Sequence, residues 1–157
     1  MKQIEIPGFG TLHLKRVLLD YNGTLAKDGR LLPGVSERLS VLREQGWELF
    51  VVTADTFGSV ASEMAGSGVE VIVLESDNHT VEKQGVLERL GPDHTVAVGN
   101  GNNDALMLKY SILGIAILGE EGCALPSLQS AELCCRSIGD ALDLLLHPKR
   151  LIATLRR

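Results

Sequence analysis

Short, largely apolar runs alternate along this chain with segments of helical periodicity, and that alternation constrains the fold more than any other feature. Apolar runs lie at 17–19, 49–52, 69–74, 96–98 and 115–118, with helical patterns at 36–45, 57–65, 80–90 and 104–109 between them. A strand apolar on consecutive residues must be covered on both faces, the condition of a parallel sheet; a half-solvated antiparallel sheet alternates instead. Helices that join parallel neighbours cross over with a right hand. The expected fold is therefore α/β, a doubly wound, mainly parallel sheet of Rossmann-like type. A weaker sixth strand at 131–135 and two final helices at 141–146 and 148–155 complete it. Before the first run, Ile4 and Ile6, then Pro7-Gly8-Phe9-Gly10, then Leu12 and Leu14 set period-two apolar residues around a turn, as an N-terminal β-hairpin does. In 157 residues there is no linker, repeat or low-complexity tract, so one domain over 1–157 is expected.

Composition removes several classes of function. A net charge of −5 and 4% aromatics do not suit nucleic acid, which wants basic grooves and stacking platforms. No apolar run approaches the ~18 residues that cross a bilayer. The opening Met1-Lys2-Gln3-Ile4-Glu5 lacks the apolar centre of a signal peptide, so a cytoplasmic protein without membrane insertion is expected. Cys123, Cys134 and Cys135 match no zinc spacing and read as reduced thiols. His13, His79, His94 and His147 share no ligand spacing either.

In doubly wound sheets, ligands bind beyond the carboxyl ends of the strands. Polar residues stand just there: Asp20-Tyr21-Asn22-Gly23-Thr24 after the first apolar run, Thr53-Ala54-Asp55 after the second, and Gly99-Asn100-Gly101-Asn102-Asn103-Asp104 after the fourth, with Lys83 in the third helical segment. Their chemistry is complementary. A carboxylate such as Asp20 can attack phosphorus, while the rest of phosphoryl transfer is positioning and electrostatics. Lys83 supplies a positive point charge and Thr53 a hydroxyl donor. Gly23 and Thr24 let backbone amides approach the transferred group. Asp104 and the side-chain carbonyl of Asn100 offer hard oxygens to Mg²⁺, which keeps several waters and takes few protein ligands. Asp55 suits a cap for the helix that follows.

The order Asp-x-x-Gly-Thr, Thr, Lys, Gly-x-Gly-x-Asn-Asp resembles the four motifs of the haloacid dehalogenase superfamily. The details Asp20…Gly23-Thr24, Thr53-Ala54-Asp55 and Gly99-x-Gly101-x-Asn103-Asp104-Ala105 are similar to the phosphorylation domain of P-type ATPases. Over nearly its full length the chain resembles the soluble, capless P-type-ATPase-like phosphatases. The resemblance implies that Asp20 is the phosphoryl-accepting nucleophile and a metal ligand, with the Asn22 carbonyl, Asn100 and Asp104 completing the Mg²⁺ site. Gly23, Thr24, Thr53, Ala54 and Lys83 would hold the phosphate, and Asn103 would support the metal loop. The implied substrate is phosphorylated, either a small molecule or a macromolecule.

Two positions depart from the family pattern. Asn22 stands where the phosphatases place an acid–base aspartate, and an amide neither gives nor takes a proton at neutral pH. Asn100 stands where most relatives carry a metal-binding aspartate, which removes one negative charge. Slow turnover is the expectation. A phosphate-binding or regulatory protein without turnover, and a carbon–halogen hydrolase using the same aspartate, are the other readings. Only a short flap at 26–32, one helix and one strand separate Thr24 from Thr53, and a single helix–strand unit leads on to Lys83. No cap domain is expected, and water exclusion then falls to the flap, a large partner or a second copy in a homo-oligomer.

Overall fold

The computed structural model describes residues 1–55 and 58–157. The chain opens with the antiparallel hairpin β1 (Lys2–Ile6) and β2 (Gly10–Leu14), in which Ile4 faces Leu12. Then come β3 (Arg16–Asp20), a flap formed by β4 (Ala26–Lys27) and β5 (Arg30–Leu31), helix α1 (Val35–Glu44) and β6 (Glu48–Thr53). Helix α2 (Ser59–Glu63), β7 (Glu70–Val73), α3 (His79–Leu90) and β8 (Thr95–Gly99) follow. The last part comprises α4 (Ala105–Tyr110), β9 (Leu113–Ile117), α5 (Leu125–Ser130), β10 (Leu133–Cys135), α6 (Ile138–Leu146) and α7 (Pro148–Leu155).

Six strands form one parallel sheet in the order β10-β9-β8-β3-β6-β7. From β3 the chain steps outward through β6 to β7, then α3 carries it back across β3 to begin β8. The strand order reverses between β3 and β8, and the crevice at their carboxyl ends is where such sheets bind ligands. Alternation along each strand feeds two apolar layers. Val17, Leu19, Val51, Val96 and Val98 pack with α1, α6, α7 and the N-terminal hairpin, while Leu18, Val52 and Ala97 pack with Val86 and Leu87 of α3 and Met107 and Leu108 of α4. Helices therefore cover both faces, which is why these strands are apolar throughout.

The helix expected over 57–65 is α2, five residues long, and the expected start at Phe57 lies outside the described residues. Helix α5 was not expected. Its sequence Leu-Pro-Ser-Leu-Gln-Ser buries only Ser127, so it carries no apolar stripe to read. Between Thr24 and Thr53 stand the flap, α1 and β6, and between Thr53 and Lys83 stand α2 and β7; among the described residues no cap domain is inserted. Among these residues, too, no helix is long and apolar enough to cross a membrane.

Candidate active site

Asp20 ends β3. The alternation that turns Leu18 toward α3 turns Asp20 the same way. Lys83 lies on the core-facing stripe of α3 with Val86 and Leu87, three and four residues further on, so its side chain is drawn into the interior rather than out to solvent. Its Nζ donates to Asp20 Oδ1 at 2.8 Å, to Asp104 Oδ1 at 2.6 Å and to Asn103 Oδ1 at 2.9 Å. All three ammonium hydrogens are used. Burial works against the charge on Lys83, but the carboxylates of Asp20 and Asp104 outweigh it and hold the ammonium above the ordinary lysine value. For Asp20, burial pushes the carboxyl up to about 7 and Asp104 adds to the push, against Lys83 and the Thr24 hydroxyl.

Asp104 is fully buried, and its second oxygen accepts from the backbone amides of Asn100 at 3.1 Å and Gly101 at 2.9 Å. It fastens the loop after β8 to Lys83. Residue 99 must be glycine for this: a Cβ there would sit 2.5 Å from the Asp104 carboxyl. On the other side, the Thr24 hydroxyl lies 3.1 Å from Asp20 Oδ2 and 3.3 Å from Asn100 Oδ1. One hydroxyl hydrogen serves one acceptor, and the shorter contact to a charged group gives it to Asp20. The Asn100 side-chain nitrogen donates to the Gly122 carbonyl at 3.1 Å, which leaves its oxygen facing the Thr24 hydroxyl.

Asp20, Asn22, Thr53, Ala54, Lys83, Asn100 and Asn103 line one cavity of about 390 Å³ together with Gly101 and Asn102. Thr53 is buried there and its hydroxyl accepts from the Asp55 amide at 3.1 Å. Asp55 also serves α2, accepting from the Val60 amide at 2.9 Å. Gly23 and Thr24, expected at the phosphate, line instead a second cavity of about 610 Å³, bounded by the flap, the loop after β9 and the start of α6. The larger cavity contains none of the Asp20–Lys83–Asp104 cluster; the chemistry belongs to the smaller one. Sequence reasoning missed Leu74, His79 and Thr80 as lining residues. The available signal was Asn78, whose side chain accepts from Val81 and begins α3 at the cavity.

The donor set suits a hard divalent cation. Two buried carboxyl groups share a single ammonium, and the oxygens of Asp20 and Asn100 converge on the Thr24 hydroxyl. Among the described residues no trio of His, Cys, Asp or Glu is grouped as a metal cage. Few protein donors and several waters are the habit of Mg²⁺.

A family model described as haloacid dehalogenase-like hydrolase matches residues 3–111. An uncharacterised protein of Methanocaldococcus jannaschii is 42% identical over 80 residues, 48% of this chain and 86% of that protein. A soluble P-type ATPase-like phosphatase of the same organism is 24% identical over 123 residues, 77% of this chain but 45% of that protein. Among solved structures, the 3-deoxy-D-manno-octulosonate 8-phosphate phosphatase of Moraxella catarrhalis, in complex with magnesium, phosphate and its sugar, superimposes with a TM-score of 0.73 at 17% identity. That match covers 92% of this chain and 94% of the other, and shows a shared fold.

Proposed function

Because the chain belongs to the haloacid dehalogenase-like hydrolases, we propose that it is a magnesium-dependent phosphohydrolase or phosphotransferase working through an aspartyl phosphate on Asp20. The observation that carries this reading is the single ammonium of Lys83, held within 2.9 Å of Asp20, Asn103 and Asp104 at the carboxyl edge of the sheet. Lys83 fixes one oxygen of Asp20 and leaves the other to act as nucleophile. That oxygen forms a bond to phosphorus as the bond from phosphorus to the leaving-group oxygen breaks, and the electron pair departs with that oxygen. Lys83, the Thr53 hydroxyl and the Ala54 backbone offset charge on the transferred group, whereas the amides of Gly23 and Thr24 are given to the carbonyls of Ala26 and Tyr21. Magnesium, when bound, supplies Lewis-acid charge to the phosphoryl oxygens, with Asp20, the Asn22 carbonyl and Asn100 as its protein donors. Asp104 stands behind them, its oxygens given to Lys83 and to the loop after β8. Water then attacks phosphorus, inorganic phosphate leaves, and the Asp20 carboxylate is restored.

Asn22 neither protonates the leaving group nor activates the water, so about 10²–10⁴ of acid–base catalysis is forgone. Substrates whose leaving group departs as a stable anion, such as acyl phosphates and anhydrides, are favoured, and hydrolysis of the intermediate is slow. The magnesium and phosphate held by the Moraxella phosphatase of the same fold support this reading. With no cap among the described residues, there is room for a large substrate or a second copy of the chain. In a direct test with acetyl phosphate, magnesium-dependent phosphate release is lost in Asp20→Ala and accelerated by Asn22→Asp. Phosphate binding without release in either the unaltered chain or Asn22→Asp would favour the second reading, a phosphate-binding protein, for which the two asparagines at 22 and 100 speak.

A further inference from the structure

On the phosphotransfer reading, we infer that His79 and Thr80 hold the leaving group of the substrate, and that this group is a short acyl chain, so that the substrate is a small acyl phosphate. His79, Thr80 and Leu74 line the same cavity of about 390 Å³ as Asp20, Thr53 and Lys83. Helix α3 starts at the carboxyl edge of the sheet, where β7 ends, and His79 precedes Lys83 by one turn on the same side of the helix. Lys83 is buried and His79 half-buried, so the two mark the floor and the mouth of one wall. Phosphorus attacked by Asp20 expels its leaving group roughly in line, on the side away from the attacking oxygen. Lys83 holds Asp20 at the floor, and the side away from it is the mouth, where His79 and Thr80 stand.

Neighbouring polar side chains of this wall are engaged elsewhere. Asn78 Oδ1 accepts from Val81 N at 3.3 Å, and the Glu82 carboxylate accepts from the amides of Glu75 at 2.9 Å and Ser76 at 2.8 Å. Leu74 N donates to Thr53 O at 2.8 Å, which fixes Leu74 beside the phosphate floor. Among the described residues neither the His79 ring nor the Thr80 hydroxyl has a hydrogen-bond partner. One N–H and one O–H suit a carbonyl or carboxylate oxygen, and Leu74 offers an apolar surface to a short carbon chain. Charge makes the same choice. Glu75, Asp77 and Glu82 lie along the approach, and no lysine or arginine occurs from 69 to 82. Among the described residues that line the cavity, Lys83 is the one lysine or arginine, and Asp20 and Asp104 already hold it. The second phosphate of a phosphoanhydride meets repulsion there, whereas an acyl group carries no charge until it departs. On transfer an Asp20 oxygen bonds phosphorus, the bond from phosphorus to the acyl oxygen breaks, and the carboxylate leaves with the electron pair. It needs no proton, as suits a site with asparagine at 22.

The test compares phosphate release from acetyl phosphate and from p-nitrophenyl phosphate by the whole chain, unaltered and with His79→Ala, His79→Gln or Thr80→Val. His79→Ala and Thr80→Val should each lower kcat/KM for acetyl phosphate by about 10- to 100-fold, the usual worth of a hydrogen bond to a group that becomes charged. Their kcat should hold, because hydrolysis of the phosphoenzyme sets it after the leaving group has gone. His79→Gln, which keeps an N–H donor, should recover most of the loss. The p-nitrophenyl ester presents no carbonyl oxygen beside the bond that breaks, and its kcat/KM should not change. A beryllium fluoride adduct forming on Asp20 in every variant would show the floor of the site intact. An unchanged kcat/KM for acetyl phosphate in either His79→Ala or Thr80→Val would overturn the inference and leave the phosphotransfer reading standing. So would an equal fall for both substrates, or release from the ester alone. No release from either substrate by the unaltered chain, with no adduct, would overturn both.

Discussion

Asp20 is a carboxylate kept where burial works against its charge, which is a device of function rather than of stability. Its carboxyl, ordinarily at 3.8, is pushed to about 7 in the fold, so the native state holds a proton more tightly than the unfolded chain across that window. Stability from this position is present below 3.8 and is lost as pH rises through about 7, then levels off. Asparagine at 20 removes the titration. With a chelator present, urea midpoints of the unaltered chain and Asp20→Asn should therefore coincide near pH 4 and separate toward pH 7, with Asp20→Asn the more stable. A constant gap across that range would contradict the assigned environment. Lys83 shows the complementary design: a lysine on the buried stripe of a helix is expensive unless paired, and here Asp20 and Asp104 both pair with it.

At the scale of elements, β3, β6 and β8 each carry a candidate functional residue just beyond the last buried apolar position. Asp20 after Leu19, Thr53 after Val52 and Asn100 after Gly99 are legible because a polar residue ending an apolar run has one place to go, the carboxyl edge of the sheet. Lys83 is legible for the opposite reason, as a charge inside the stripe that Val86 and Leu87 continue. Helix α5 is poorly legible because it lacks an apolar face, whereas the flap expected at 26–32 is the hairpin of β4 and β5. Away from the site, α1 and α6 are clamped by Arg38, whose Nε and Nη2 donate to the two oxygens of Asp143 at 2.8 Å and 3.1 Å. The hydrogen bonds from Arg38 outweigh the opposing effect of burial and hold the Asp143 carboxyl below its usual value. Asp143→Asn should cost about 0.5–1 kcal/mol at neutral pH, since the pair is partly solvated. That difference should fade as pH falls through the lowered Asp143 value, as denaturation at stepped pH would show, with phosphate release from acetyl phosphate unaffected.

For the whole molecule, the decisive feature is the return of the chain through α3. Building β6 and β7 on one side of β3, then β8, β9 and β10 on the other, opens the crevice at β3 and β8, and the returning helix brings Lys83 to its mouth. The termini support this frame from behind: Arg157 N donates to Pro7 O at 2.9 Å, closing the N-terminal hairpin against α7 on the face opposite α3. Nothing caps the site among the described residues. The most direct measurement of that chemistry is fluorine NMR of the whole chain with magnesium and beryllium fluoride, a mimic of the phosphoryl group. The account predicts a slowly exchanging bound resonance that disappears in Asp20→Asn. A chain that forms no adduct at saturating reagent, or an adduct that persists without the Asp20 carboxylate, would contradict it.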